Sequence, residues 1–288
     1  MRGVRFAILN PMIEKELTLS HGTVKYWEYH PDKKPALVMI HGFRGTHHGL
    51  AKIAEGLPDF HLLVPDLPGF GESQQLAGEH SVENYVAFVA EFIRALGLKT
   101  PVVAGHSFGS IVVSHFAAAY PDMLSKLILI NPIAAPALQG PRGAMTRLAI
   151  AYYWLGRKLP KRAAGAWLGA PPIVKIMSVT MAKTSNKETL RYIHDQHKQH
   201  FSTFANPQVV AESFKASVSS DVSHVADQLR APTLLIAGEK DDITALPKQQ
   251  ELHRAVADSE LYVIDGVGHL IHYETPEEAA GAIREFLQ

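Results

Sequence analysis

Short runs of consecutive apolar residues recur along most of the chain and alternate with longer amphipathic segments. A continuous apolar run is typical of a strand that is buried on both faces of a parallel sheet. The runs that predict such strands are 36–40, 61–65, 101–105, 126–130, 232–237 and 260–264. Before them, alternating positions from 17 to 29 predict a β-hairpin that turns at 20–23.

The segments between these strands place apolar residues at helical spacing. The clearest is 82–96, where Ser81 is a suitable N-cap for the predicted helix. Further helices are predicted over 51–57, 110–120, 247–257 and 276–287. Strands that alternate with helices predict an α/β protein whose doubly wound, mostly parallel sheet is covered on both faces.

The alternation stops after the strand at 126–130 and resumes only at 232–237. Residues 132 to about 225 instead predict helices that are interrupted at prolines. The interruptions are expected at Pro136, Gly140-Pro141, Pro160, Pro171-Pro172 and Pro207. We therefore predict a helical cap, or lid, of residues 132–225 that is inserted into a core of residues 1–131 and 226–288.

Charge is distributed unevenly between these two parts. The chain of 288 residues has 28 Lys+Arg and 28 Asp+Glu, whereas residues 132–225 contain 12 basic and 4 acidic residues. The segment 132–182 has seven Lys or Arg and no acidic residue. The zero net charge of the whole argues against a nucleic-acid binder that works through bulk charge. The preferred interpretation of the basic lid is a solvated face that pairs with the acidic core. The alternative is that it attracts anionic substrates or makes weak contact with a lipid surface.

Composition excludes several further classes of protein. With 47% apolar and 19% charged residues, the chain is not disordered throughout. It has no cysteine, which excludes a disulfide scaffold, a thiol nucleophile and a cysteine-ligated metal site. The apolar stretch 6–9 is too short for a signal peptide. The uncharged span 100–121 is long enough to cross a membrane, but its glycines and polar residues suit a buried strand, turn and helix better. We therefore expect a soluble, cytoplasmic protein without integral membrane contact.

The pentapeptide Gly105-His106-Ser107-Phe108-Gly109 lies between a predicted strand and a predicted helix. This G-x-S-x-G pattern places the serine on a sharp turn, so that its hydroxyl projects above the edge of the sheet. Gly105 and Gly109 leave room where a Cβ atom would clash with neighbouring backbone. The helix behind Ser107 directs its positive end at the charge that develops on an attacked carbonyl. We therefore predict that Ser107 is a nucleophile.

A serine nucleophile requires a histidine base and a carboxylate that orients it, and in this type of fold they follow in the order Ser, acid, His. His269 lies in a glycine-rich loop after a predicted strand, where such sheets present their ligands. We expect His253 to be solvated on a helix and His272 to have a packing or capping role. For the acid, Asp241 is preferred to the adjacent Asp242, because their side chains cannot both face the site.

Two backbone N–H groups should stabilise the oxyanion that nucleophilic attack creates. One is the N–H of Phe108, the residue after the nucleophile. The other should come from the loop 41–45, which follows a predicted buried strand. Gly42 allows this loop to turn close to the serine, and this makes the N–H of Phe43 the candidate.

These motifs together resemble the α/β-hydrolase family. The residues that carry the resemblance are HGF at 41–43, DLPGFGES at 66–73, GHSFG at 105–109, GEKDD at 238–242 and GVGH at 266–269. The resemblance extends over about residues 17–287. Within the family, the chain is most similar to capped esterases, lipases and carbon–carbon-bond hydrolases. The resemblance implies an eight-stranded sheet, a lid after the sixth strand, the oxyanion donors named above, and Ser107, Asp241 and His269 as a catalytic triad. One difference is Ala245, where the family pattern has a proline; here Pro247 is the nearest.

The expected function is that of a serine hydrolase that cleaves a carboxylic ester with an apolar acyl part. The partner is then a small-molecule substrate, and neither a cofactor nor a metal is required. A carbon–carbon-bond hydrolase of vinylogous diketones would use the same triad and is the alternative within the enzyme class. The alternative from another class is a ligand receptor that has the same fold without turnover.

Two further groups of lid residues are less specific. His194, His197 and His200 recur at a spacing that could let two of them bind a metal ion, but a polar lid surface is the preferred interpretation. The large aromatic residues and methionines of the lid should form its core, and some of them should line a pocket. They are Tyr152, Tyr153, Trp154, Trp167, Met177 and Met181.

Overall fold

A computed structural model of the chain describes residues 12–137 and 143–288. The expected break at Gly140-Pro141, the apolar stretch 6–9 and the lid residue Arg142 lie outside the described residues. The described residues form an eight-stranded sheet. Its strands are β1 (Ile13–Leu19), β2 (Gly22–Tyr29), β3 (Ala36–Ile40), β4 (His61–Pro65), β5 (Val102–His106), β6 (Lys126–Ile130), β7 (Thr233–Gly238) and β8 (Ser259–Ile264).

The strands lie in the order β1-β2-β4-β3-β5-β6-β7-β8. β1 pairs antiparallel with β2, and β2 antiparallel with β4, whereas the remaining pairs of neighbouring strands are parallel. From β3 the chain builds the sheet first toward β4 and then in the other direction toward β8, which makes it doubly wound. The predicted fold class is therefore confirmed, with the hairpin starting at Ile13 rather than at 17.

Helices cover both faces of the sheet. Those described are α1 (His47–Glu55), α2 (Val82–Ala95), α3 (Phe108–Ala119), α4 (Gly143–Lys158), α5 (Lys161–Leu168), α6 (Pro171–Met181), α7 (Lys187–His200), α8 (Pro207–Ser219), α9 (Leu246–Ala255), α10 (Ile271–Glu274) and α11 (Pro276–Leu287). On one face α1 and α11 bury Ile53 and Ile283, and on the other α2 and α3 bury Phe92 and Phe116. The sheet is thus enclosed between two apolar layers, as its continuous apolar strands require.

The starts of the helices follow from local and from distant hydrogen bonds. Ser81 caps α2 as predicted, since its Oγ accepts a hydrogen bond from the N–H of Asn84 at 3.3 Å. α1 begins at His47 rather than at 51, because the His47 N–H donates to Oδ1 of Asp66 at 2.7 Å. Asp66 belongs to the loop after β4, so this helix start has no signal in the adjacent sequence.

The helices α4 to α8 lie between β6 and β7, at the position where the lid was predicted. Backbone hydrogen bonds join this segment to the loop 66–73. The N–H of Gly71 donates to the carbonyl of Thr203 at 3.0 Å, and the N–H of Ala205 donates to the carbonyl of Gly69 at 2.9 Å. Within 12–137 and 143–288, every helix is too short or too polar to cross a membrane.

Candidate active site

Ser107 occupies a sharp turn between β5 and α3. Its backbone has φ of 54° and ψ of −118°, in the left-handed half of conformational space that few residues other than glycine adopt. A Cβ atom on Gly105 would lie 2.3 Å from the carbonyl oxygen of Gly109, and one on Gly109 would lie 2.3 Å from that of Ile40. The close approach of three backbone segments therefore requires glycine on both sides of Ser107, as the sequence predicted.

The predicted nucleophile, base and acid are brought together at the carboxyl ends of β5, β7 and β8. His269 Nε2 lies 2.7 Å from Ser107 Oγ, and His269 Nδ1 lies 2.8 Å from Asp241 Oδ2. Since an ionised carboxylate only accepts hydrogen bonds, Nδ1 carries the proton and Nε2 can accept the proton of the serine hydroxyl. This arrangement allows His269 to act as a base toward Ser107.

Asp241 is buried among hydrogen-bond donors. Its Oδ1 accepts from the N–H groups of Ile243 at 2.7 Å and Thr244 at 3.2 Å, and its Oδ2 also accepts from Nδ2 of Asn131 at 3.0 Å. Burial opposes ionisation of Asp241, but its electrostatic interaction and hydrogen bond with the His269 ring, together with the backbone donors, outweigh it. The pKa of Asp241 therefore lies below its ordinary value, and the carboxylate is ionised at neutral pH.

The neighbouring candidates have other partners. Asp242 is not among the residues that line the cavity, and its half-exposed carboxylate forms an ion pair with Lys183. His253 is not solvated as predicted, because it is half-buried on α9 and its Nδ1 lies 2.9 Å from Oγ of Ser259. That serine begins β8, so the contact that buries His253 is formed only when the helix packs beside the strand.

Asn131 is a further residue of the site that sequence reasoning missed. It is buried directly after β6 with φ of 45°. Its Nδ2 donates to Oδ2 of Asp241 at 3.0 Å and to the carbonyl of Gly268 at 3.1 Å. Asn131 thus links the loop that holds the acid to the loop that holds His269. A polar residue at the carboxyl end of a buried strand, of a type that tolerates positive φ, was the available signal.

The two candidate oxyanion donors lie beside the nucleophile and line the same cavity. Phe108 is the first residue of α3, so its N–H has no acceptor within the helix. The loop of Phe43 lies against the turn of Ser107, since a Cβ atom on Gly42 would be 3.1 Å from Ser107 Cβ. In the described part of the chain, neither N–H is engaged in a hydrogen bond. Both are therefore available to a negatively charged oxygen.

Arg44, the next residue of this loop, is buried and connects the loop to the lid. Its Nε donates to the carbonyl of Phe201 at 2.8 Å, and its Nη2 donates to the carbonyl of Leu168 at 2.9 Å and to Oγ of Ser202 at 3.3 Å. The guanidinium carbon lies 4.4 Å from the centre of the Phe201 ring. No described carboxylate forms an ion pair with Arg44. Nothing in the adjacent sequence indicated these partners.

Replacing Arg44 should therefore loosen the lid. We expect Arg44→Met to lower the free energy of unfolding by about 3 kcal/mol, because two buried carbonyl groups lose a charged donor. Arg44→Lys should lose most of the same stability, because an ammonium group cannot reach carbonyls in different directions at once. Urea denaturation measures both losses.

The exposed Arg162 on α5 provides the control. Arg162→Met changes the charge equally but removes no buried hydrogen bond, so its stability should stay within about 0.5 kcal/mol of the parent. A parent-like Arg44→Lys would contradict the role of the divergent hydrogen bonds.

A cavity of about 420 Å³ contains Ser107 and His269 and is lined in part by residues of α4, α6, α7 and α8. Its apolar lining includes Ile133, Met177, Met181, Phe214, Val218 and Ile243. Of the large lid residues singled out from the sequence, Met177 and Met181 line the cavity and Tyr153 is buried. Trp154 and Trp167 are 54% and 40% exposed, so their prediction as lid core is wrong. Their helices turn these side chains outward.

The lid histidines do not form the polar surface that was predicted. His197 is buried and lines the cavity, with its ring 5.3 Å from that of Phe201 and 5.6 Å from that of Tyr273. Nδ1 of His194 lies 2.6 Å from Oγ of Ser178, which joins α7 to α6. Among the described residues, no group of three His, Asp or Glu could hold a metal ion. The face of α7 that carries His197 therefore packs onto the site.

Three buried histidines make the stability sensitive to acid. Burial lowers the pKa of His106 to about 3, that of His197 to about 4 and that of His272 well below its ordinary value. Below pH ~6.5 the unfolded chain binds protons at these histidines that the folded chain does not bind. The free energy of unfolding therefore decreases as the pH is lowered. Each histidine contributes up to about 1.4 kcal/mol per pH unit. Burial also lowers the pKa of His41, His48, His80, His115 and His200, so we expect unfolding to take up at least about three protons in urea titrations between about pH 6 and 5.

Single substitutions check this count. In the same window Asp66 and Asp241 stay ionised in the folded protein, since each has a pKa below its ordinary value. His106→Asn should reduce the slope of stability against pH by about one proton. A stability that does not change over this window would contradict neutral burial of these rings.

Comparisons with known proteins agree with this geometry. A sequence model that describes the alpha/beta hydrolase fold matches residues 35–276. The chain is 26% identical over 287 residues to Lipase 1 from Psychrobacter immobilis, with 94% of this chain and 83% of that protein covered. It is 29% identical over 273 residues to Lipase LipV from Mycobacterium tuberculosis, with 90% and 95% covered.

A solved structure of a thermophilic esterase from Thermogutta terrifontis aligns with a TM-score of 0.77 at 25% identity, covering 96% of this chain and 98% of that one. The matched residues 35–276 span most of the chain and include the turn of Ser107 and the loops of Asp241 and His269. The chain therefore belongs to the alpha/beta hydrolase fold family.

Proposed function

We propose that the protein is a serine hydrolase that cleaves a carboxylic ester with an apolar acyl part. The observation that carries this proposal is the continuous contact from Ser107 Oγ through His269 to Asp241, which opens into a largely apolar cavity. A volume of about 420 Å³ is in the range of small-molecule sites. The lipases and the esterase to which the chain is similar support ester hydrolysis at the level of the family.

In the proposed reaction, Ser107 Oγ attacks the acyl carbon while His269 Nε2 takes the hydroxyl proton. The tetrahedral intermediate collapses, and His269 returns this proton to the departing alkoxide, which leaves an acyl group on Ser107. Water then attacks the acyl carbon, again giving a proton to His269. Collapse of the second intermediate releases the carboxylic acid and restores the Ser107 hydroxyl.

Two electrostatic contributions lower the barrier in this scheme. The N–H groups of Phe43 and Phe108 stabilise the oxyanion, with support from the positive end of α3. The carboxylate of Asp241 stabilises the imidazolium that His269 becomes and keeps its ring in the productive tautomer. Because the acid is already ionised, it requires no proton transfer of its own.

Residues 132–225 act as the lid in this proposal, and residues 1–131 and 226–288 as the catalytic core. The apolar face of α6 contributes Met177 and Met181 to the substrate cavity. The hydrogen bonds of Arg44 attach the lid to the loop 41–45, which contains Phe43. The lid thus supplies the acyl-binding surface, whereas the core supplies the reacting groups.

Hydrolysis of a series of p-nitrophenyl esters, from acetyl to long-chain acyl, tests the proposal. We expect turnover to favour an acyl group longer than acetyl, because a larger apolar group fills more of the cavity. A fluorophosphonate should label the parent at one serine. The Ser107→Ala protein supplies the background rate in both assays.

The other outcomes are informative. Turnover of a vinylogous diketone without turnover of any ester would replace the proposal by carbon–carbon-bond hydrolysis. Failure of the fluorophosphonate to label the folded protein, together with absent ester turnover, would instead indicate a ligand receptor. The contact between Ser107 and His269 favours turnover over that last alternative.

A further inference from the structure

The outer faces of α4 and α6 expose large apolar side chains. Leu148 is 65% exposed and Ile176 is 59% exposed, and Trp154 and Val179 are each 54% exposed. On α6, Ile176 and Val179 are three residues apart and therefore lie on one helical face. We call the following exposed side chains the apolar rim: Leu148, Trp154, Leu155, Trp167, Ile176 and Val179.

The rim borders the cavity that contains Ser107. Ala149 of α4 and Met177 of α6 line this cavity, and each is adjacent in sequence to a rim residue. Ile243, from the loop after β7, also lines the cavity and is 48% exposed. The same two helices therefore present residues to the cavity and, on a neighbouring face, apolar side chains to solvent.

Basic residues accompany the rim on the same helices. Arg147, Arg157, Lys158, Arg162 and Lys175 are exposed. Within the described part of the chain, none of them forms an ion pair with a carboxylate. The segment 132–182 contains no acidic residue that could balance them. Their positive charge is therefore directed to solvent beside the apolar side chains.

Aromatic residues of the rim are held in place by polar contacts. Nε1 of Trp167 donates to the carbonyl of Tyr152 at 3.2 Å, and the Tyr152 hydroxyl donates to the carbonyl of Trp167 at 2.8 Å. Nζ of Lys158 lies 5.8 Å from the centre of the Trp154 ring. Amphipathic Trp and Tyr next to Lys and Arg are typical of surfaces at a membrane–water boundary.

We propose that the apolar rim and its basic residues dock the protein on an anionic phospholipid surface. Positive charge without acidic neighbours is complementary to anionic headgroups, and the rim supplies apolar side chains that enter the acyl boundary. This docking goes beyond the proposed function, since it requires no turnover.

Docking of this kind needs both the positive charge of the basic residues and the apolar side chains of the rim. Each Lys or Arg near an anionic surface strengthens binding by about five-fold, and salt screens this attraction. A few half-exposed apolar side chains alone give weak binding, as a single apolar anchor does. We therefore expect binding to require anionic lipid and to be lost when either set of residues is replaced.

Vesicle sedimentation with the Ser107→Ala protein tests the proposal separately from any hydrolysis. One set of vesicles contains phosphatidylcholine alone, and the other contains phosphatidylglycerol as a minority component. We expect binding to the anionic vesicles to be at least about 25-fold stronger than to the neutral ones and to weaken as salt is raised. Equal binding to both kinds of vesicle, or to neither, would overturn the proposal.

Two double variants in the Ser107→Ala background separate charge from apolar contact. Arg157→Glu with Lys158→Glu should weaken binding to anionic vesicles at least about 25-fold. Ile176→Ser with Val179→Ser should weaken it by about ten-fold or more at unchanged charge. Thermal unfolding should remain unchanged in both, because the four side chains are exposed.

Matched controls lie at the other end of the sheet. Lys34 and Lys99 are exposed before β3 and β5, so Lys34→Glu with Lys99→Glu makes the same charge change far from the rim. Ile13→Ser removes an exposed apolar side chain on β1. Control variants that bind as weakly as the rim variants would overturn the proposal. The proposal would also be overturned if the charge variant lost binding to vesicles, the apolar variant kept it, and the Ser107→Ala protein bound heparin as tightly as it binds anionic vesicles. The surface would then recognise any polyanion.

Discussion

The Ser107→Ala variant is expected to lose at least about 10⁴-fold in kcat on every ester that the parent hydrolyses. Removing Oγ removes the atom that would form the proposed acyl-enzyme, whereas the cavity and the candidate oxyanion donors stay in place. The fold should be preserved, because alanine and serine have the same Cβ constraint at the φ of 54° of this residue. Steady-state kinetics with a fluorogenic ester and a thermal unfolding curve measure both expectations.

Two controls define what this loss means. Ser114→Ala on α3 removes a buried hydroxyl that bonds only within its own helix, to the carbonyl of Ile111 at 3.0 Å, and should leave kcat within about two-fold. The double variant Ser107→Ala with His269→Ala should be no slower than either single variant, because the two residues act as a unit. Losses that multiply in the double variant would show that His269 is not the base for Ser107.

Asp241→Asn is expected to lower kcat by about 10⁴-fold while the site keeps its shape. The backbone N–H groups of Ile243 and Thr244 point at Oδ1, so an asparagine there must turn its oxygen toward them. Its amide N–H₂ then faces Nδ1 of His269 and also Nδ2 of Asn131, whose amide must rotate to present its oxygen instead. The imidazole responds by carrying its proton on Nε2, where it can no longer accept one from Ser107. Kinetics at neutral pH and at higher pH check that the loss persists when every histidine is neutral.

Asp242→Asn is the matched control, since it makes the same change at the adjacent residue. It removes an ion pair with Lys183 from a half-exposed position, so activity should stay within about two-fold of the parent. If Asp242→Asn were the more damaged variant, the acid would have been assigned one residue out of register.

Arg44 and the lid histidine His197 show how closely the core and the lid depend on each other in this protein. Arg44 belongs to the oxyanion loop, yet its hydrogen-bond partners Leu168 and Phe201 are lid residues. His197 belongs to the lid, yet its ring packs on Tyr273 of the core. The segment that carries the apolar rim therefore contacts residues close to Ser107.

The sequence by itself was sufficient for the fold class and for the order of its elements. Buried parallel strands are apolar on both faces, so β3, β4 and β6 were predicted with their observed bounds from local pattern alone. The turn at Ser107 was predictable because the G-x-S-x-G pattern is contiguous in sequence, although the close approach of Ile40 to Gly109 is visible only in the structure. His269 could be selected because the carboxyl ends of parallel strands share one edge of the sheet.

Only the tertiary structure decided what depends on residues that are distant along the chain. The sequence could prefer Asp241 to Asp242, but the contact of Asp241 with His269 is seen only in the structure, and the start of α1 depends on Asp66. The partners of Arg44 and the burial of His197 arise where the lid packs on the core. Periodicity and motifs indicate which face of its own helix or strand a residue occupies. A hydrogen bond or an ion pair between two such elements depends on distances that exist only after they pack.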